Sequence, residues 1–562
     1  MASLVGQPSI KGRSEATRMI LLNFCTIGIT FTWGIEMTCK CSQPSPPLLH
    51  VYPKRLLSDR PPALVDCTPY LLNLGLTKSN TSLIWIAGPL SGLLVQPIIG
   101  VISDENTSKW GRRRPFMVIG ALIVSVCLII LGFTKEIVEF MLPDEELAKG
   151  PTIALAVLSI YALDFAINAV MSCSRSLIVD TLPLEKQQSG AAWASRMNAV
   201  GHVVGYGAGA IDLVQILGNT LGQTQFQQLT LIAAMAILAT TATTCWAVRE
   251  SVLVSSKGSK PQSSFGVLGQ IYSTVRHLPP RIEAICWAQF WSWIGWFPFL
   301  FYSTTWVGEI YFRYDIPADA RQSEDILGEM GRIGSKSLVM YSFITCTGSF
   351  VMPLFVKSPD EEPYTARPPQ AVAGFLKRFE DMKPDLLSTW IFGHIMFAAS
   401  MSLAPFATSF RFATTLVCLC GLPWTIAMWA PTALLGIEVN KLSGRTGNRR
   451  LSNDTDTELR ELNNRKAPTL LGDGPETPAS SSGELSGIYF GILNIYTTIP
   501  QFLGTLLATV VFAILEPGKS RELGNPGQAP GRDGPNAIAV CLFVGAVCAV
   551  VASFATRRLK SL

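Results

Sequence analysis

Residues 88–132, GPLSGLLVQPIIGVISDENTSKWGRRRPFMVIGALIVSVCLIILG, hold two apolar runs joined by one short polar loop. A helix rising 1.5 Å per residue needs about 20 apolar residues to cross a hydrocarbon core about 30 Å thick, and each run is of that order. Working outward, the pattern recurs. Candidate spans fall near residues 19–38, 81–102, 115–133, 152–179, 191–214 and 227–248, and then near 284–306, 337–356, 387–406, 411–435, 486–513 and 536–556. The whole chain is 48% hydrophobic and 15% charged, against about a quarter charged in soluble proteins. Lipid is therefore the expected solvent, and the expected fold class is an all-α membrane protein with twelve transmembrane helices.

Charge placement gives the orientation. With a cytoplasmic N-terminus, Lys11, Arg13, Arg18, the basic cluster at 109–114, Lys186, Arg249 and the Arg557, Arg558, Lys560 tail all fall inside, as the positive-inside bias requires. The segment after the third span carries Glu136, Glu139, Asp144, Glu145 and Glu146, and belongs on the opposite side. Both termini are thus expected in the cytoplasm. No short apolar segment with a small-residue cleavage site opens the chain, so the first span is expected to stay in the mature protein.

The polar stretch at 249–282 reads as a cytoplasmic linker between a first bundle, 1–248, and a second, 283–562. A low-complexity segment at 440–484 is too polar to bury a core, and is expected as a disordered cytoplasmic loop. Residues 39–66, CKCSQPSPPLLHVYPKRLLSDRPPALVD, interrupt the pattern with six prolines and basic residues on the outer face. They are either a retained intron, since Cys39–Lys40 and Val65–Asp66 can be encoded by splice signals, or an extracellular loop.

The 13 cysteines lie mostly within spans and lack the loop spacing of a disulfide framework or zinc site. No Walker loop or dinucleotide fingerprint occurs. Enzymatic chemistry and ATP-driven transport are therefore without support; no metal or other cofactor is implied, and a gradient is expected to supply the energy.

The loop after the second span sets Gly100 and Asp104 before Gly111, Arg112, Arg113 and Arg114. Glycine permits close backbone approach, aspartate accepts from arginines or a helix N-terminus, and arginines anchor at the inner leaflet. This spacing resembles the signature loop of the major facilitator superfamily, with a longer gap between Asp104 and Gly111. GPLSGLLVQPIIG with GRRRPF, LDFAINAVMSCSRSLIVD at 163–180, NAVGHVVGYGAG at 198–209, WFPFLFYSTTWVGE at 296–309 and GIYFGILNIYTTIPQ at 487–501 are similar to the sucrose/proton symporters of plants and their fungal α-glucoside permease relatives. The resemblance implies two six-helix bundles in the major facilitator fold, and proton-coupled uptake of sucrose, maltose or a related α-glucoside by alternating access. The proton is then the coupling ion, and a small neutral sugar and the bilayer are the partners of a monomer in the plasma membrane or, alternatively, the vacuolar membrane. A monosaccharide or polyol carrier of an internal membrane and a non-transporting sugar receptor remain as alternatives.

Ionisable residues inside spans mark function because each costs at least ~2.5 kcal/mol at the bilayer centre. Asp164 and Arg175 are eleven residues apart, on nearly one helix face but separated by roughly 16 Å of rise. They cannot pair with each other. The resemblance places both in the coupling and substrate machinery, with Asp164 as proton acceptor and Arg175 as donor to sugar hydroxyls; a structural ion pair between helices is the alternative. Glu36 is a second candidate proton site, or a solvated rim residue. Asn168, Asn494 and Gln501 offer amides for hydroxyls, and Trp296, with Trp33, Trp85 and Trp291, a flat face for a sugar ring. His202 reads as a packing histidine beside Gly201 and Gly205. Asp180 and Arg196 could join Asp104 and the arginines as an inner gate, or be solvated helix-end charges. Span seven departs from the plant pattern at Ser303 and Thr305, and Glu309 is expected to be solvated at a helix end.

For residues 39–66, the mature transcript is expected to lack their codons; sequencing reads that run through them would establish the extracellular loop instead.

Overall fold

The computed structural model describes residues 3–38, 87–142, 144–210, 213–218, 220–254, 264–315, 326–357, 382–463, 486–515 and 536–562. The 39–66 stretch and Trp85 lie outside the described residues, as does the side chain of Glu36.

In the first half the helices are α1 (Glu15–Asn23), α2 (Cys25–Thr38), α3 (Ala87–Asp104), α4 (Arg114–Gly132), α5 (Thr134–Met141), α6 (Glu145–Thr181), α7 (Gln187–Ala210), α8 (Leu213–Leu217) and α9 (Gln225–Ala247). After α10 (Ser264–Arg276) the second half contributes α11 (Pro280–Ile310), α12 (Ile326–Val351), α13 (Leu386–Ser402), α14 (Phe410–Leu419), α15 (Gly421–Asn463), α16 (Ser486–Leu515) and α17 (Ala537–Arg558). Local chemistry explains several ends. Ser14 accepts from the Thr17 N–H at the start of α1, and Thr224 and Gln227 form a reciprocal capping box at the start of α9. α4 opens with Pro115 in its first turn, where a missing N–H costs nothing.

Among the described residues, nine helices are long and apolar enough to cross a membrane. The expected spans near 19–38, 191–214 and 284–306 fall outside that set although helices occupy all three places. α1 and α2 are short pieces meeting at Phe24; α7 carries Arg196, Asn198 and His202; and α11 holds Gln289, Ser292 and five tryptophans, Trp287, Trp291, Trp293, Trp296 and Trp306, which contribute little hydropathy. The loop expected at 440–484 is corrected in part: α15 continues through Asn463, with no proline between Pro431 and Pro468 to stop it. The linker is likewise not featureless, since α10 lies within it and packs on α3 and α16.

Each half has its own core. Leu128, Leu163, Ile167 and Ile237 are buried together in the first, and Trp296, Trp306, Phe397 and Leu542 in the second. A third cluster crosses between halves, joining Val101 and Val179 to Trp390, Trp429 and Ile488. Outside the helices, β1 (Ser3–Val5) pairs antiparallel with β4 (Val252–Val254), and β2 (Ser9–Ile10) with β3 (Val248–Arg249). Beside them the Lys11 N–H donates to the Ala247 carbonyl at 2.9 Å, and its ammonium sits 3.9 Å from the Trp246 ring centre.

Candidate functional site

The halves meet most closely along α3 and α16. A Cβ on Gly487 would lie 2.5 Å from the Gly100 carbonyl oxygen, and one on Gly491 would strike the Pro97 backbone. These glycines let two helix backbones touch, so side chains at the ends of the seam can close it.

At the basic end they do so with charge. Arg113 is fully buried; it pairs with Asp104, with Asp180 at 2.9 Å, and donates to Ser486 Oγ at 2.9 Å. Arg112 pairs with the same Asp180 at 3.1 Å. Asp104, from the first half, also accepts the N–H groups of Gly487 and Ile488 at 3.2 and 3.0 Å, capping the N-terminus of α16 in the second half. Orphan N–H groups and the helix dipole make that terminus a natural carboxylate site. Burial alone would push the Arg113 pKa down, but the charges of Asp104 and Asp180 overcome it and hold the value above that of an ordinary arginine. The guanidinium therefore stays charged.

Glu250 caps α4 in the same manner. Its two carboxylate oxygens accept the N–H groups of Arg112, Arg113 and Arg114 at 2.8, 2.8 and 2.9 Å. Gly111, at φ +120°, lies so close that a Cβ would meet Glu250 Oε1 at 2.7 Å. Sequence reading placed Glu250 in the linker and did not single out Ser486; Ser486 opens α16, a position that could have flagged it, whereas the helix start that Glu250 caps lies far back in the chain. The Asp180 side chain is only 7% exposed and is doubly paired, which removes the solvated-end reading. Arg196 does not join this cluster: its Nε donates to the Ser349 carbonyl at 3.2 Å on another seam.

Between the halves lies a cavity of about 110 Å³, lined by Arg175 with Thr30, Ser174, Asn198, Thr432 and Phe490 among others. Arg175 is half-buried, and among the described residues no carboxylate pairs with it. Sites for drug-sized ligands span ~300–1,000 Å³. The cavity is smaller, so a disaccharide requires the halves to separate.

The other candidates divide. Asp164 is buried outside the cavity lining, with a carboxylate oxygen 4.0 Å from where a Gly88 Cβ would sit. Asn168 donates to Ser91 Oγ at 2.8 Å and to the Asp164 carbonyl at 2.9 Å, and accepts from Gln96 at 2.7 Å. Asn494 donates across the seam to the Gly92 carbonyl at 2.7 Å, and Gln501 donates to the Thr497 carbonyl at 3.3 Å on its own helix. Trp296 is 2% exposed and packs on Phe397, Phe299 and Trp424. It therefore serves the second-half core in this conformation. Glu309, expected to be solvated, is buried and paired with Arg313 one turn on.

Apolar spans in two halves around a small cavity, mostly apolar but lined by Arg175, define a multi-pass membrane transporter. Residues 69–307 match the family model described as MFS/sugar transport protein. A general alpha-glucoside permease of Schizosaccharomyces pombe is 29% identical over 99% of this chain and 96% of its own length. A sucrose transport protein of Arabidopsis thaliana is 29% identical over 53% of this chain and 56% of its own. Among solved structures, the major facilitator transporter FucP in its outward conformation has a TM-score of 0.51 at 13% identity, covering 96% of this chain and 98% of that one. The proton:xylose symporter XylE also scores 0.51, at 9% identity over 96% and 95%. The chain has the major facilitator fold; it is similar to the MFS/sugar transport family over residues 69–307 and to the permease over nearly its whole length.

Two substitutions check this geometry. Gly487→Val is expected to abolish uptake without loss of membrane abundance, because its side chain meets Gly100 and Arg113, whereas Gly207→Ala, with open space around it, should leave uptake unchanged. Trp296→Ala is expected to lower stability by about 3–5 kcal/mol, read as thermal unfolding in detergent; a raised KM at unchanged stability would instead put the ring on the sugar.

Proposed function

We propose that this chain imports sucrose, maltose or a related α-glucoside together with a proton, by alternating access of two six-helix bundles. In this reading twelve spans cross the plasma membrane, residues 1–248 and 283–562 form the bundles, 249–282 link them, and both termini and the Arg112–Arg114 loop are cytoplasmic. The observation that carries it is Arg175: a guanidinium lines a cavity between halves with no carboxylate partner among the described residues. A charge is rarely left so placed in a membrane without a task. Its five fixed donors suit hydroxyl oxygens, and the relatives named for α-glucosides and sucrose supply the substrate class.

The chemistry follows from the closed state. The cytoplasmic seam is held by Arg113, Asp104, Asp180 and Ser486, and sugar reaches the cytoplasm when those contacts part. Asp164, with Glu36 as a second group, takes a proton from the outer side and loses it inside, so that return of the empty carrier depends on release. Asn168, Asn494, Gln501 and Trp296 complete the sugar site once the halves have moved.

Uptake of labelled maltose and sucrose in a transport-deficient host should be concentrative, and should collapse with a protonophore. Accumulation surviving the protonophore overturns proton coupling, and binding without accumulation would make the protein a receptor. Arg175→Lys keeps the charge but loses the fork; it should raise KM about tenfold or more, as loss of a charge-assisted hydrogen bond worth ~1.5–3 kcal/mol implies. Asp164→Asn should abolish accumulation while sparing counterflow exchange, because only net transport needs proton release; equal loss of both removes that role.

A further inference from the structure

The basic end of the cavity is closed by two seams of different chemistry. Against the charged α3–α16 seam stands a second, where α7 of the first half meets α12 and α15 of the second. Its bonds run from side chains to backbone carbonyls. Arg196 Nε donates to the Ser349 carbonyl at 3.2 Å, Gln188 Nε2 to the Lys357 carbonyl at 3.0 Å, and Trp429 Nε1 to the Gln188 carbonyl at 3.2 Å. The Ser349 carbonyl is open for a reason written in the sequence. Residue 353, which would supply the next N–H of a continuing helix, is proline. It also lies in the last turn of α12, where unsatisfied carbonyls carry the negative end of the helix dipole. The guanidinium is steadied there by two rings, with Trp193 at 4.5 Å and Phe350 at 5.7 Å from its centre. Arg196 is half-buried, and no carboxylate pairs with it among the described residues.

We propose that Arg196 is a separate latch of the cytoplasmic gate: a first-half cation that caps the C-terminus of a second-half helix while the Arg175 cavity is closed, and lets go when that side opens. It is a positioning residue, since the adjacent turns of α7, at Ser195 and Asn198, line the cavity while Arg196 itself reaches away to α12. A neutral carbonyl is a partner that water can replace. The contact therefore parts more readily than the buried Arg113 pairs; since inward opening needs both seams to part, losing the Arg196 bond raises the inward-open population by that bond's share.

The test uses the full chain carrying Thr432→Cys, a cavity position, in inside-out vesicles treated with an impermeant thiol reagent; the same variants without Thr432→Cys give the background from native cysteines. Arg196→Gln should label roughly tenfold faster than the parent, the change that one lost charge-assisted hydrogen bond corresponds to. Arg196→Lys should fall between, keeping the charge but losing the planar fork and its stacking. The apparent KM for external sugar should rise without a fall in kcat, as expected when the outward-competent population shrinks. Labelling of Arg196→Gln no faster than the parent overturns the latch. Should that variant fail to reach the membrane, Phe350→Ala decides: faster labelling supports the proposal and unchanged labelling overturns it. The inference rests on the alternating-access reading, but the two fail differently. A parent that never accumulates sugar removes the carrier reading, whereas labelling reports the latch by itself.

Discussion

Everything at the basic end of the α3–α16 seam depends on one buried guanidinium. Arg113 has no exposure and answers two carboxylates, Asp104 and Asp180, on two different helices. A buried charge that loses its partner costs about 3–5 kcal/mol, so the three helix ends can be parted only if other groups take over the solvation. Asp104 adds to the constraint because its oxygens also cap the first turn of α16. One carboxylate thereby serves an arginine of its own half and a helix terminus of the other, and the interface is specific as well as strong.

Glycine makes that arrangement reachable. With backbones in contact at Gly100 and Gly487, the Asp104 carboxylate sits within hydrogen-bond distance of main-chain donors; a larger residue would hold the helices apart and leave the charges buried without partners. Across the cavity the second seam shows no such charged core among the described residues. The two seams are thus unequal in how tightly they resist water, although both flank the cavity around Arg175.

Much of this was legible in the sequence, and the part that was not has physical causes. Apolar runs of about 20 residues mark helices wherever lipid is the solvent, which is why helix positions could be read directly. The loop motif pointed to Gly100, Asp104 and the arginines because its residue types have few other uses together. Tertiary partners were not readable. Glu250 and Ser486 look like ordinary polar residues until a helix N-terminus is found beside them, and Arg196 looks like a member of the arginine cluster until its distance from that cluster is known. Trp296 could serve a sugar or a core equally well by chemistry, and only packing against Phe397 and Trp424 distinguishes the two. The continuation of α15 to Asn463 was hidden because polarity was taken as disorder, whereas an absence of helix breakers leaves the backbone free to go on.

The short strands before α1 and after α9 tie the beginning of the first half to its end through main-chain bonds. Long helices joined only by loops could shear past one another, but a closed circuit resists such distortion. Glu250 lies on the connection between β3 and β4, so the same circuit grips α4. Force applied at the linker is consequently delivered to the first half as a single lever instead of being lost in the bending of separate rods.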